Sequence, residues 1–136
     1  MASRSTSKIW EYLGNLEKDK LSHALRSLAD TEQELANLEA SVVKMQEMKN
    51  EYLTKLNQAD SGQDIAIVEL TTSINFIGRI EEALRHSAAR RLELNKHLRQ
   101  AKQHCADRQV DVKKYAILGE KELKARALKD RQEEQK

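Results

Sequence analysis

Residues 21–56 of the chain read LSHALRSLADTEQELANLEASVVKMQEMKNEYLTKL, and their apolar residues recur every three or four positions. A period of 3.5 residues places such residues on one narrow stripe of a helix, which a partner helix covers. The stretch therefore predicts a coiled-coil helix from about residue 8 to about residue 57. Its two rows are Gly14, Leu21, Leu28, Leu35, Val42, Lys49 and Leu56, and Trp10, Glu17, Ala24, Thr31, Leu38, Met45 and Tyr52.

The composition favours long helices over a thick globular core. The 136 residues include no Pro and four Gly, with 34% charged residues and 4% aromatic residues. This mix and a mean hydropathy of -0.76 are typical of coiled coils. The formal net charge of +2 is too balanced for nucleic-acid binding to be the main function.

The chain carries no sequence signal for export or membrane insertion. The first residues lack the apolar run of a signal peptide, and nowhere do 18 apolar residues follow one another. The single cysteine, Cys105, cannot form an internal disulfide, which fits a reducing cytoplasm. We therefore expect a cytoplasmic protein whose membrane association is peripheral or through a partner.

The helical period stops at residues 56–64, LNQADSGQD, where turn-forming residues cluster. We expect a turn at about residues 58–64, with Ser61 or Asp64 capping the next helix. A second helix is expected over about residues 65–133. Its two rows are Leu70, Ile77, Leu84, Arg91, Leu98, Cys105 and Val112, and Ser73, Ile80, Ser87, Leu94, Ala101, Arg108 and Tyr115.

Two matched stripes joined by a short turn predict an all-α fold, a long antiparallel two-helix coiled-coil hairpin that forms a single domain over residues 1–136. If Leu56 lies near Ile65, Lys8 lies near Lys113. Residues from about Tyr115 onward then overhang without a partner, over roughly 30 Å.

Charge supports a pairing between residues 13–42 and residues 79–108. The first segment carries six acids against three bases, and the second carries eight bases against four acids. Complementary flanks help to fix the register of a coiled coil, although each exposed pair contributes little. The basic run is interpreted first as a solvated flank, with a site for an acidic partner as the alternative. Its bases are Arg79, Arg85, Arg90, Arg91, Lys96, Arg99, Lys102 and Arg108.

No motif of a catalytic or cofactor site occurs in the chain. There is no GxxxxGK, GxGxxG or CxxC, so we expect no enzyme activity and no cofactor. His97, His104 and Cys105 could lie on neighbouring helical turns, but a zinc site needs three or four converging ligands. We interpret the histidines as surface residues and Cys105 as part of the apolar stripe.

Residues 74–84, INFIGRIEEAL, carry a second apolar ridge beside the stripe. Ile77, Ile80 and Leu84 lie on the stripe itself, whereas Phe76 and Ala83 flank it. Gly78 costs a helix roughly 1 kcal/mol relative to Ala. The pattern suggests a docking ridge next to the core, with Gly78 leaving space beside the ring of Phe76.

Several features in order resemble the flagellar export protein family FliJ. They are a mixed-charge start with spaced leucines at Trp10–Leu28, then Asn50, Tyr52 and Leu56 before a polar turn, then FIGRIEEAL at 76–84, and then KKYAILGEKELKARALKDRQEEQK at 113–136. The resemblance covers nearly the whole chain. Members of the family often continue for several residues past this tail.

The resemblance implies a non-enzymatic stalk and adaptor of the flagellar type III protein export apparatus, similar to the central stalk of rotary ATPases. Its implied partners are the hexameric export ATPase, whose ring it enters, the cytoplasmic domain of the export gate protein FlhA, and the flagellar export chaperones. It implies a cytoplasmic protein held at the inner face of the membrane through the apparatus, with a role in motility and chemotaxis. No nucleic acid and no direct membrane insertion are expected.

The resemblance also implies two partner sites. The export-gate site falls on Phe76, Ile80, Ala83 and Ser87, whose spacing of four, three and four makes one helical face. Ser87 departs from the family, where some relatives have a bulkier residue. The ATPase-ring site is expected at the charged tip where the two ends of the chain meet, with the candidates Lys8, Trp10, Glu11, Glu17, Lys121, Lys124, Arg126, Lys129 and Arg131.

Two other functions fit the same pattern. One is the equivalent stalk of a virulence type III secretion system, with the same fold and different cargo. The other is a generic structural coiled coil that dimerises through its stripes. The predicted turn favours a hairpin within one chain over such a dimer.

Overall fold

The computed structural model describes residues 2–60 and 66–135, with side chains for residues 8–58 and 66–135. Helix α1 spans Ala2–Asp60 and helix α2 spans Ile67–Glu134. The two helices pack against each other, and no strand occurs in these residues. The predicted all-α helical hairpin is confirmed.

Helix α1 ends later, and helix α2 begins later, than the sequence suggested. Helix α1 continues to Asp60, and α2 begins at Ile67, so residues 58–60 of the expected turn are helical. The rest of that turn, including the expected caps Ser61 and Asp64, lies outside the described residues.

The start of α2 is stabilised by its backbone and by one acidic side chain. The N–H of Leu70 donates to the carbonyl of Ala66 at 3.1 Å, which closes the first helical turn. Glu69 lies in that turn, where the free N–H groups of a helix favour negative charge.

The chain divides into two compact units. The terminal unit comprises Met1–Asp30 and Leu98–Lys136, and the central unit comprises Thr31–His97. Each unit contains a segment of both helices, and each is described by itself below.

The predicted rows form a seam, the layer of side chains that lies between α1 and α2. In the central unit Ile77, Ile80 and Leu94 are 8%, 5% and 2% exposed. In the terminal unit Ala24 and Cys105 are each 5% exposed. All other members of the rows on both helices are at least half-buried except Arg91, which is exposed.

Arg91 leaves the seam because its charge finds a partner at the surface. Its Nη2 lies 3.4 Å from Oε1 of Glu39 on α1. Burying an unpaired guanidinium would cost far more than the small apolar contact that is lost. A seam position is therefore partly vacant in the central unit.

Ion pairs join the two helices along the flanks of the central unit. Arg90 Nη2 lies 2.7 Å from Glu34 Oε1, and Lys49 Nζ lies 3.4 Å from Glu81 Oε1. Arg90 also donates to Glu93, and this hydrogen bond holds the pKa of the Glu93 carboxyl below its ordinary value. The expected charge complementarity between the helices is present, and the basic run is partly neutralised within the chain.

The register of the terminal unit differs from the expected one. The rings of Trp10 and Tyr115 lie 6.0 Å apart, and a Cβ on Gly119 would lie 3.6 Å from Cβ of Trp10. The expected pairing of Lys8 with Lys113 is therefore wrong by about two helical turns. Tyr115 and Gly119 also have partners on α1, contrary to expectation. The reason is the later end of α1 and the later start of α2, which move the midpoint of the link toward the C-terminus.

Truncation of a buried and of an exposed leucine shows which side chains belong to the seam. Leu94 is 2% exposed and Leu92 is 74% exposed, on the same turn of α2. We expect Leu94→Ala to lower the free energy of unfolding by about 2 to 5 kcal/mol, because it opens a cavity. Leu92→Ala should change it by less than about 0.5 kcal/mol. Urea unfolding followed by circular dichroism measures both, and equal effects would contradict the assigned seam.

Candidate partner-binding surfaces

The ring of Phe76 packs on α1 rather than standing free. In the central unit its centroid lies 4.7 Å from that of Tyr52, with the planes tilted by 44°. Lys55 Nζ lies 5.2 Å from the centre of the Tyr52 ring on the same helix. Tilted rings at this distance attract each other, so Phe76 is half-buried and held in place.

The other residues of the predicted gate site differ in exposure. Ile80 is 5% exposed and belongs to the seam, whereas Ala83 and Ser87 are half-buried. A partner that docks here therefore meets Phe76 and Ala83 at the surface. Ile80 supports their position from beneath.

Gly78 lies on an exposed part of α2 with free space around it. A Cβ built on Gly78 would meet no other atom within 4 Å, apart from its chain neighbours and the local helix backbone. Packing within the chain therefore does not require a glycine here. The sequence suggested space beside the ring of Phe76, but residues two apart point about 160° from each other around a helix, so this space lies on another face of α2.

Two aromatic rings and two glycines alternate across the terminal unit. Trp10 faces Gly119, and Tyr115 faces Gly14, where a Cβ would lie 4.0 Å from Cβ of Tyr115. The small residues make room for the rings of the opposite helix. A cavity of about 350 Å³ opens beside them, and Leu123 is among the residues that line it.

Glu17 is not available to a partner in this structure. It is 8% exposed, within 3.3 Å of Lys20 Nζ on one oxygen and 3.5 Å of Arg108 Nη1 on the other. Its Oε2 accepts no hydrogen bond from the described residues. Glu17 and Arg108 occupy seam positions on the two helices, so the pair acts within the fold.

Most of the other residues predicted for the ATPase ring lie at the surface of the terminal unit. Trp10 is half-buried by its contact with Tyr115, and Arg126 is also half-buried. The exposed ones are Lys8, Glu11, Lys121, Lys124, Lys129 and Arg131.

Helix α1 carries an exposed apolar face in the same unit that was not expected from the sequence. Ile9, Tyr12 and Leu16 are 51%, 67% and 40% exposed, and their spacing of three and four makes one face. All three lie outside the two rows of the seam, which is the signal that could have revealed them. The tip therefore combines charge with exposed apolar surface.

The described part of the chain has neither a metal site nor a spanning helix. No group of three His, Cys, Asp or Glu residues within it is placed to hold a metal ion. None of its helices is both long and apolar enough to cross a membrane.

Comparison with known families identifies the chain. A model of the family described as Flagellar FliJ protein matches residues 11–136. The chain belongs to this family, and it is therefore a protein of flagellar type III export. No curated protein and no solved structure gives a significant match.

The space around Gly78 leads to a test of stability. Gly78→Ala should raise the free energy of unfolding by about 0.5 to 1 kcal/mol, because Ala loses less backbone entropy in a helix and meets no neighbour here. Urea unfolding followed by circular dichroism measures the change. A loss of stability would contradict the free space found around Gly78 and would mean that a larger side chain is not accommodated there.

Proposed function

We propose that this chain is a non-enzymatic stalk and adaptor of the flagellar export apparatus. In this proposal its terminal unit enters the ring of the hexameric export ATPase, and its central unit engages the cytoplasmic domain of the gate protein FlhA. Contacts with export chaperones belong to the same role. The protein acts in the cytoplasm, at the inner face of the membrane through these partners.

The observation that carries this proposal is a family match that runs through both helices of a two-helix hairpin. The described residues of the hairpin form one thin layer of buried side chains and enclose no site that excludes water. A fold of this kind offers long surfaces to other proteins rather than a catalytic pocket. Such a fold is suited to connecting partner proteins to one another.

The proposed gate site rests on the packing of Phe76. The contact with Tyr52 fixes the ring before any partner binds, which lowers the entropy lost on binding. Ala83 lies two turns further along the same face of α2 and is half-buried. A large fixed aromatic residue beside small ones is typical of a binding hot spot.

The proposed ATPase site rests on the mixed surface of the terminal unit. The exposed bases of α2 give long-range attraction to an acidic surface, which speeds encounter. The apolar face of Ile9, Tyr12 and Leu16 adds short-range contact on α1. Within this proposal, Glu17 holds the helices in register and makes no contact with the ring.

The gate site is tested with Phe76→Ala. We expect affinity for the purified cytoplasmic domain of the gate protein to fall by about 2 kcal/mol or more, which is about thirtyfold. Isothermal titration calorimetry measures it. Because the variant also loses the contact with Tyr52, Ala83→Glu is tested beside it, since that change adds charge at the surface and removes no ring.

Val43→Ala is the matched control for both variants. Val43 is 52% exposed in the same unit and is not part of the proposed site. Its affinity for the gate should stay unchanged. Normal gate binding by both Phe76→Ala and Ala83→Glu, with lower stability of Phe76→Ala, would mean that Phe76 serves packing alone.

The ATPase site is tested by removing the tail. Deletion of residues 120–136 removes four of the exposed bases but keeps Gly119 against Trp10. We expect weaker stimulation of the purified export ATPase, while the helical signal per residue and the cooperative unfolding of the hairpin persist. Phosphate release measures the stimulation.

A charge-reversal variant separates the loss of charge from the loss of length. Replacing Lys121, Lys124, Lys129 and Arg131 by Glu keeps the tail and reverses its charge. Its stimulation should be as weak as that of the deleted chain. Full stimulation by both variants would place the ATPase contact elsewhere.

A further inference from the structure

A groove opens on one flank of the central unit. It has a volume of about 580 Å³ and lies between Val42 of α1 and Leu84 of α2. Ser87, Ala88 and Leu92 continue the lining along α2. Gln46, Arg91 and Asn95 also line the groove, so its lining is mostly apolar with polar groups among it.

The groove exists because two seam positions are incompletely filled. Ser87 is too small to reach across the seam, and the side chain of Arg91 turns outward to Glu39. A missing side chain leaves its neighbours without contacts on one side, which costs stability unless something fills the space. Leu92 stands next to this gap and is 74% exposed.

Two cations lie on either side of the exposed leucine. Arg85, Ala88, Leu92 and Lys96 are spaced by three, four and four, so they share one face of α2. Arg85 and Lys96 lie about 16 Å apart along the helix axis, which is three turns. Neither makes an ion pair with any of the described side chains.

The nearest acids on α2 are engaged elsewhere. Glu81 lies 3.4 Å from Lys49, and Glu93 lies 3.0 Å from Arg90. Glu82, three residues before Arg85, lies 3.8 Å from Nε2 of His86. Arg85 and Lys96 thus have no ion pair among the described side chains, although each lies within one turn of an acid. Free cations around an apolar centre complement an acidic amphipathic surface.

We propose that this groove binds an amphipathic α-helix of a partner protein, with one or two aliphatic side chains against Leu92 and carboxylates facing Arg85 and Lys96. Three turns of helix match the distance between the cations. The aliphatic side chains fill the gap beside Ser87, and the carboxylates fix the register. This is the helix-in-groove mode of recognition.

The groove is a different surface from the proposed gate site. Phe76 and Leu92 point about 160° apart around α2, as follows from their spacing at 100° per residue. The seam residue Ser87 lines the groove and was also predicted for the gate, so it lies at the border of both. A helix in the groove leaves Phe76 open, and the inference does not depend on the proposed function.

The test uses the full chain and a labelled synthetic helix of about 18 residues, lactam-bridged to hold its fold. One face carries two leucines a turn apart, flanked on each side by glutamates. A matched peptide has lysines in place of the glutamates. Fluorescence anisotropy should show binding of the acidic peptide and much weaker binding of the basic one. Leu92→Ala should weaken binding of the acidic peptide by about tenfold or more.

Leu25→Ala is the matched control for the exposed leucine. Leu25 is 44% exposed on α1 in the terminal unit and is not among the residues that line the groove. It should bind the acidic peptide as the unmodified chain does. Ser87→Leu supplies a second measurement, because it fills the gap from within and should reduce binding while raising stability in urea.

Reversal of the two charges tests whether they determine which peptide binds. Arg85→Glu combined with Lys96→Glu should reverse the preference, so that the basic peptide binds more tightly than the acidic one. Both positions are exposed and unpaired, so the fold should persist by circular dichroism. An unchanged preference, or equal binding of both peptides by the unmodified chain, would overturn the proposal.

Two other occupants would also overturn it. Glu32, Ala36, Val43 and Glu47 give α1 an acidic face with an apolar centre, which a second copy could present to the groove. Dimerisation in analytical ultracentrifugation that Leu92→Ala abolishes, without peptide binding, would identify a second copy. Binding to phosphatidylserine-containing vesicles that Leu92→Ala abolishes, without peptide binding, would identify a lipid surface.

Discussion

The fold depends on a seam only one layer of side chains thick. Two helices have no third element to enclose their contact, and none of the described side chains is less than 2% exposed. Many apolar residues outside the seam remain at the surface, including Tyr12 and Ile67 at 67% and 81% exposure. A protein built in this way has little stability to spare and much surface to offer. Partner binding is a natural use of such a surface.

Polar residues in and beside the seam determine which residues face each other. A row of leucines tolerates a shift by one heptad, because leucine replaces leucine at every position. A shift would separate Glu17 from Arg108, and the buried carboxylate would then keep Lys20 of its own helix but lose its cation from α2. Breaking such a pair is more costly than the pair is stabilising. The surface pairs of Arg90 and Lys49 act in the same direction at lower strength.

The two rows could be predicted from the sequence because the period of 3.5 residues has one physical solution, a partner helix. The register could not, since it depends on where each helix ends, and α1 passes through Asn57 and Asp60 where turn chemistry was expected. The burial of Ile80 follows from its row. The contact between Phe76 and Tyr52, the burial of Glu17 and the groove beside Ser87 depend on which residues face each other, so they required the structure.

The single cysteine of the chain gives the seam an internal reporter. Cys105 is 5% exposed within the terminal unit, so a thiol reagent reaches its sulfur only when α1 and α2 separate there. The rate of alkylation then measures the frequency of local opening, in the same way as amide hydrogen exchange. Any partner that clamps this unit must slow the reaction, and any that wedges the helices apart must accelerate it. The native chain thus carries its own kinetic probe of opening, without an engineered label.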